Sequence, residues 1–162
     1  MIPSILLIAV LSSVAPASAS VQSDQRPTAV SVDEAMTKVD RLIDESRPLF
    51  RVQRYSEAVE LCEKALAISE RDLGEGPYTA MILTNLGLNY ASIGQYGQAE
   101  KAYLRALAIE ERVYGLDATG SATLLRNIGL LYRNTDRGSQ AEPFLARADA
   151  IEARTKTSLP AH

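Results

Sequence analysis

Between Thr79 and Ser92 the apolar and small residues fall at Leu83, Leu86, Gly87 and Tyr90. That is the spacing of one buried face of an α-helix. Gly94-Gln95-Tyr96-Gly97 follows and predicts a break and a turn. A second helix is expected from about Gln98 to Tyr114, ending at Gly115. Gly74 occupies the same place at the end of the preceding unit, as a glycine C-cap would. Ser31-Val32-Asp33-Glu34 and Ser139-Gln140-Ala141-Glu142 have the Ser-x-x-Glu form of a capping box and predict two further helix starts.

The pattern repeats. Ala58-Val59-Glu60-Leu61-Cys62-Glu63-Lys64-Ala65-Leu66-Ala67-Ile68 matches residues 99–109 at an offset of 41, and residues 141–151 continue the series at a further 42. Leu83-Thr84-Asn85-Leu86-Gly87-Leu88-Asn89-Tyr90 matches residues 125–132. Two different segments repeating together indicate a two-helix unit that stacks on copies of itself. Short side chains let paired helices approach. Gly87 and Gly129 on the first helix, and Ala58, Ala99 and Ala141 on the second, are placed for that contact. Ala65, Ala106 and Ala148 would meet the next hairpin. Tyr90, Tyr132, Tyr103, Cys62 and Leu145 are the large or core-filling partners.

Leu86, Gly87 and Tyr90, followed by Ala99, Tyr103 and Ala106, resemble the tetratricopeptide-repeat signature. The 42-residue spacing and the Arg-Ala-Leu-Ala-Ile-Glu-Glu-Arg run from Arg105 to Arg112 resemble the longer, kinesin-light-chain-like subclass. The resemblance covers roughly residues 32–154. It implies an all-α fold, a short right-handed α-solenoid of about three helix-turn-helix hairpins. The first unit departs from the pattern: Glu45 and Ser46 stand where Leu86 and Gly87 stand later, and Pro48 falls inside the expected helix. An interior proline removes a backbone bond and clashes with the preceding turn, so a bend or interruption near Arg47 is expected. At the other end Asp149 replaces Leu66 and Leu107, and Ala146 replaces Leu104. Repeat arrays need a polar outer face on their last unit, which is what Asp149 supplies.

The same resemblance implies that first helices line a concave groove that binds an extended peptide or a partner helix. The groove-facing positions are then Met81, Thr84, Asn85 and Leu88, with Thr123, Arg126, Asn127 and Leu130 one unit later. An asparagine amide both donates and accepts, so Asn85 and Asn127 are candidates to bond a ligand backbone. Relatives that clamp a C-terminal carboxylate add a lysine one turn earlier. Met81 and Thr123 stand there, with Asp40 and Asp44 in the first unit, which argues against that clamp. Arg126 is the one positive charge expected in the groove.

Composition narrows the remaining chemistry. A net charge of -3 without a basic stripe gives no nucleic-acid surface. Cys62 is the only cysteine, excluding an intramolecular disulfide and a cysteine-built metal site. His162, the only histidine, is the last residue, and Gly74-Glu75-Gly76-Pro77 lacks the lysine of a phosphate loop. Neither a catalytic group nor a cofactor site is expected, and the reading is a non-enzymatic scaffold. Residues 1–19 carry no charged side chain. They hold the apolar run Ile5 to Leu11 and end in small residues at Ala17 and Ala19, the layout of a secretory signal peptide. The expected organisation is therefore a leader over 1–19, a flexible linker over 20–30, a repeat domain over 31–154 and a disordered tail over 155–162. The protein would act after export, periplasmic or extracellular, with no membrane attachment once the leader is cleaved. Self-assembly into a homo-oligomer, or service as an accessory subunit of an exported enzyme, are the alternatives.

Overall fold

The computed structural model describes residues 31–116, 118 and 120–158. The expected leader, linker and last four residues, including His162, lie outside that range. Six α-helices form three antiparallel hairpins: α1 (Val32–Arg51) with α2 (Tyr55–Ile68), α3 (Pro77–Ser92) with α4 (Tyr96–Tyr114), and α5 (Ser121–Asn134) with α6 (Gly138–Ser158). No strand occurs among the described residues. Each hairpin packs on the next through its first helix, α3 on α2 and α5 on α4. The result is a short right-handed α-solenoid.

The turn inside each hairpin is built the same way three times. Arg54 N–H donates to the Leu49 carbonyl at 2.9 Å, Gln95 to Tyr90 at 2.8 Å and Arg137 to Tyr132 at 2.9 Å. These closures satisfy carbonyls that the helix end leaves without partners. Each needs a left-handed residue just before it: Gln53 (φ 62°), Gly94 (φ 78°) and Asp136 (φ 57°). Only the middle unit uses glycine, so the turn is legible in Gly94 and hidden in the other two. α2 continues into one π-helical turn, Ser69–Leu73, and Gly74 and Gly115, at φ 76° and 88°, end that turn and α4 as expected.

Close packing inside each hairpin rests on a matched pair of sizes. A Cβ on Gly87 would lie 2.5 Å from the Tyr103 ring, and one on Gly129 would lie 2.5 Å from Leu145 Cδ2. The equivalent pair in the first hairpin is Ser46 and Cys62, both buried. So the opposing residue is large where the first helix has glycine and small where it has serine. Ala58, Ala99, Ala141, Ala65, Ala106 and Ala148 are all fully buried, as the repeat pattern implied.

Two polar devices couple successive hairpins. The Ser69 and Thr79 hydroxyls share a bond of 2.8 Å, and in the next unit Ser121 donates to Glu110 at 2.9 Å. Arg105 pairs with Glu70 and with Glu75 at 2.6 Å. Its repeat equivalent, Arg147, pairs with Glu111 and donates to the Leu116 carbonyl. Both arginines thus reach from a second helix to the second helix and loop before it.

Three expectations change. α1 runs unbroken through Pro48 to Arg51. Pro48 lies in its last turn, where the loss is confined to one N–H, and the Arg54–Leu49 closure ends the helix beyond it. Glu45 is exposed where Leu86 is buried. Leu86 and Leu66 line one cavity between α2 and α4, and among the described residues no hairpin precedes the first to meet such a leucine. The Ser139 capping box does not open α6, which begins at Gly138 and places Ser139 inside the helix. Ser31 does cap α1, accepting from Glu34 N–H at 3.1 Å, while the Glu34 carboxylate turns to Lys38. At the far end α6 continues four residues past 154, with Thr155 and Thr157 hydroxyls on the Ile151 and Ala153 carbonyls.

Candidate binding groove

α1, α3 and α5 turn one side chain in every turn toward a shared face, and along it Leu88 and Leu130 remain 38% and 44% exposed. Burying a leucine is favourable by about 1.5–3 kcal/mol, so two at one repeat position form a surface with something to gain from a partner. Asn85 and Asn127, each one helical turn earlier, are half-buried beside them. Among the described residues neither side-chain amide is held by a protein partner. Both retain a donor and an acceptor for a ligand backbone.

Two depressions flank α3. One of about 190 Å³ lies between α1 and α3, with Ser46, Phe50, Arg51, Asn85, Leu88 and Asn89 among its lining residues. The other, about 220 Å³, lies between α3 and α5 and is lined by Leu88, Tyr96, Asn127, Leu130 and Asn134 among others. Leu88 is the ridge between them. Met81 and Thr84 belong to a third hollow of about 260 Å³, with Pro77, Glu110 and Tyr114. The Thr84 hydroxyl donates to the Ala80 carbonyl of its own helix at 2.9 Å, and Thr123 is exposed. Thus Asn85 and Leu88 share one depression, Asn127 and Leu130 the other, and Asn85 also lines the hollow that holds Met81 and Thr84.

Arg126 is placed differently. Its guanidinium donates to Glu152 at 2.7 Å and to Asp149 at 3.0 Å, both on α6. The positive charge expected for the groove is therefore neutralised by its own hairpin. Asn89, Phe50, Tyr96 and Asn134 were not singled out by sequence. The trace of Asn89 in the sequence is its mismatch with Leu131 at the same repeat position, which does not by itself mark a site.

The chemistry of the remaining groups is quiet. Burial pushes the Cys62 thiol above its usual range, against a weaker opposite pull from the Ser46 hydroxyl. A thiol held protonated is a poor nucleophile. Tyr90 is raised to about 12 by burial and by its bond to the Glu63 carboxylate, so its hydroxyl stays a donor that ties α3 to α2. No helix among the described residues is long and apolar enough to cross a membrane.

The tetratricopeptide-repeat family model matches residues 49–111 and again 78–151, together spanning more than half of the sequence. The chain belongs to the tetratricopeptide-repeat family. Its fold is similar to that of BtubC (BKLC) from P. vanneervenii, with a TM-score of 0.67 and 24% identity, covering 82% of this chain and 52% of that one. The tetratricopeptide-repeat chain here thus spans about half the length of BtubC. The TPR domain of Arabidopsis FLU is similar too, with a TM-score of 0.65 and 18% identity, covering 76% of this chain and 99% of the domain. Comparison with curated protein sequences finds no match. Tetratricopeptide-repeat scaffolds generally serve protein–protein interaction, and the exposed face of α3 and α5 is where this one offers unpartnered apolar and amide groups.

Proposed function

We propose that this tetratricopeptide-repeat chain is a non-enzymatic scaffold that holds an extended peptide segment of a partner protein along α1, α3 and α5 after export. The observation that carries the reading is the repeated pair of exposed leucine and free asparagine, Leu88 with Asn85 and Leu130 with Asn127. An extended peptide presents a backbone N–H and C=O at regular intervals, which two amides on adjoining helices can bond. Its alternate side chains then fall into the hollows on either side of Leu88. Export rests on the charge-free apolar leader and the small residues at Ala17 and Ala19.

The test uses the mature chain, immobilised and exposed to an exported protein fraction, with bound peptides identified by mass spectrometry. Asn85→Ala combined with Asn127→Ala is expected to abolish capture. Its thermal midpoint should barely move, because neither half-buried amide holds a protein partner whose loss would cost stability. Undiminished capture by the double variant would place binding on another face.

A further inference from the structure

Asn89 stands apart from every other buried polar group described here. It is 4% exposed, and its Oδ1 is the one buried side-chain oxygen or nitrogen among the described residues without a hydrogen-bond partner. Its Nδ2 is engaged, donating to the Asn85 carbonyl at 2.8 Å. An unpaired buried carbonyl carries a desolvation cost, and Nδ2 also reaches the Cys62 Sγ at 4.0 Å without relieving Oδ1; the same repeat position holds Leu131, buried at 3% exposure, in the third unit. A residue that costs stability and has an apolar counterpart in the same scaffold points to use by a ligand.

The surroundings say which ligand group fits. Asn89 lines the depression of about 190 Å³ between α1 and α3, whose other walls include Phe50 and Leu88, with Arg47 and Arg51 also lining it. Arg47 is engaged by Asp44, at 2.7 Å, whereas Arg51 has no described partner. The Asn89 oxygen asks for an N–H donor. The Arg51 guanidinium asks for an oxygen acceptor. A carboxylate would set a second oxygen against Oδ1, and an ammonium would face two guanidinium groups. A neutral primary carboxamide offers an N–H₂ to one and a C=O to the other.

We propose that this depression is a subsite for a carboxamide side chain, asparagine or glutamine, of the bound peptide. The subsite deepens the groove reading above and rests on it for the peptide that carries the amide. The Oδ1 is covered in the free chain, so a wall side chain changes rotamer as the amide enters.

The test needs no peptide, so its outcome is separate from that of the capture experiment. Propionamide, propionate and propylammonium, which share a chain and differ in head group, are titrated into the mature protein and followed by NMR. Propionamide is expected to shift the Asn89 side-chain amide and Leu88 methyl signals saturably, with propionate and propylammonium at least fivefold weaker. Asn89→Leu should lose the propionamide response while its thermal midpoint rises by about 2–8 °C, as removing an unsatisfied buried group predicts. Preference for propionate, no response to any probe, or a lowered midpoint in Asn89→Leu would each overturn the proposal. Absence of propionamide binding by the unaltered protein, with its peptide capture intact, would sink the subsite alone and leave the groove reading standing.

Discussion

At the scale of single residues, the hairpins are fixed by pairs whose sizes add up. Gly87 admits the Tyr103 ring, Gly129 admits Leu145, and Ser46 needs only the small Cys62 opposite it. Gly87→Ala puts a carbon 2.5 Å from the atoms of a buried ring, which must shift to admit it. Overpacking of this kind costs about 1–3 kcal/mol. Urea denaturation should show that loss, and show a smaller one when the same change is made in a Tyr103→Leu background. An equal loss in both backgrounds would mean that the ring is not the obstacle. The glycines and alanines were legible because they recur at a fixed offset. The pairing rule was not, because sequence shows which positions are small but not which residue faces them. The left-handed turns show the same limit: Gly94 announces its φ, while Gln53 and Asp136 adopt theirs because the hairpin closure requires it.

Between elements, the arginine run that carried the family resemblance turns out to be a coupling device. Arg105 and Arg112 both reach Glu75 in the loop between the first two hairpins, and Arg105 also reaches Glu70. The Arg105 and Arg112 guanidinium groups, first by hydrogen bonding and then by charge, hold the Glu75 carboxyl below its ordinary value of 4.5. A carboxyl with a depressed folded value stabilises the folded state above its unfolded value, and that support fades as pH falls through the folded one. The contribution is therefore complete at neutral pH and is lost progressively below about pH 4.5. Glu75→Gln is expected to lower the urea midpoint at pH 7 and to have less effect at pH 3, both read by circular dichroism. The pair is solvent-exposed, so the effect should also shrink in high salt. A midpoint difference that persists unchanged at pH 3 would show that the Glu75 side chain acts through packing rather than through its charge, since Gln keeps the backbone carbonyl that accepts from Arg112. The same scale explains why Pro48 misled the sequence reading. Its cost depends on distance from the helix end, which the repeat comparison did not give.

Over the whole molecule, most of the fold was legible, since the 41- and 42-residue offsets fix three hairpins and their order. The proposed groove is legible only where the repeat itself marks its positions. Asn85 with Leu88 and Asn127 with Leu130 lie on one face as the family pattern implies. The Arg126 guanidinium, by contrast, is already paired with Asp149 and Glu152 of α6. Asn89 was hidden inside a matched segment, where its departure from Leu131 reads as ordinary variation until its unpaired oxygen is seen.

The two ends of the solenoid follow one logic, and it yields the last prediction. At the internal boundary between the first two hairpins, Leu66 and Leu86 line a common cavity from opposite sides. The open C-terminal end has Asp149 in place of the first, and the open N-terminal end has Glu45 in place of the second, both exposed. Each end thus lacks one half of the apolar contact that internal boundaries use, so head-to-tail stacking of two copies would bury charged carboxylates, Asp149 with its Arg126 partner and Glu45 with Arg41. Asp149→Leu restores one half and still leaves Arg126 its bond to Glu152 at 2.7 Å, so the hairpin itself should survive. Light scattering should then show the radius rising with concentration for Asp149→Leu, and rising further for Glu45→Leu with Asp149→Leu. Because such a contact joins two different faces, it does not close on itself, and the double variant should pass beyond dimers to open-ended assemblies. A radius that stays flat for both variants would show that side chains other than Glu45 and Asp149 keep the ends apart.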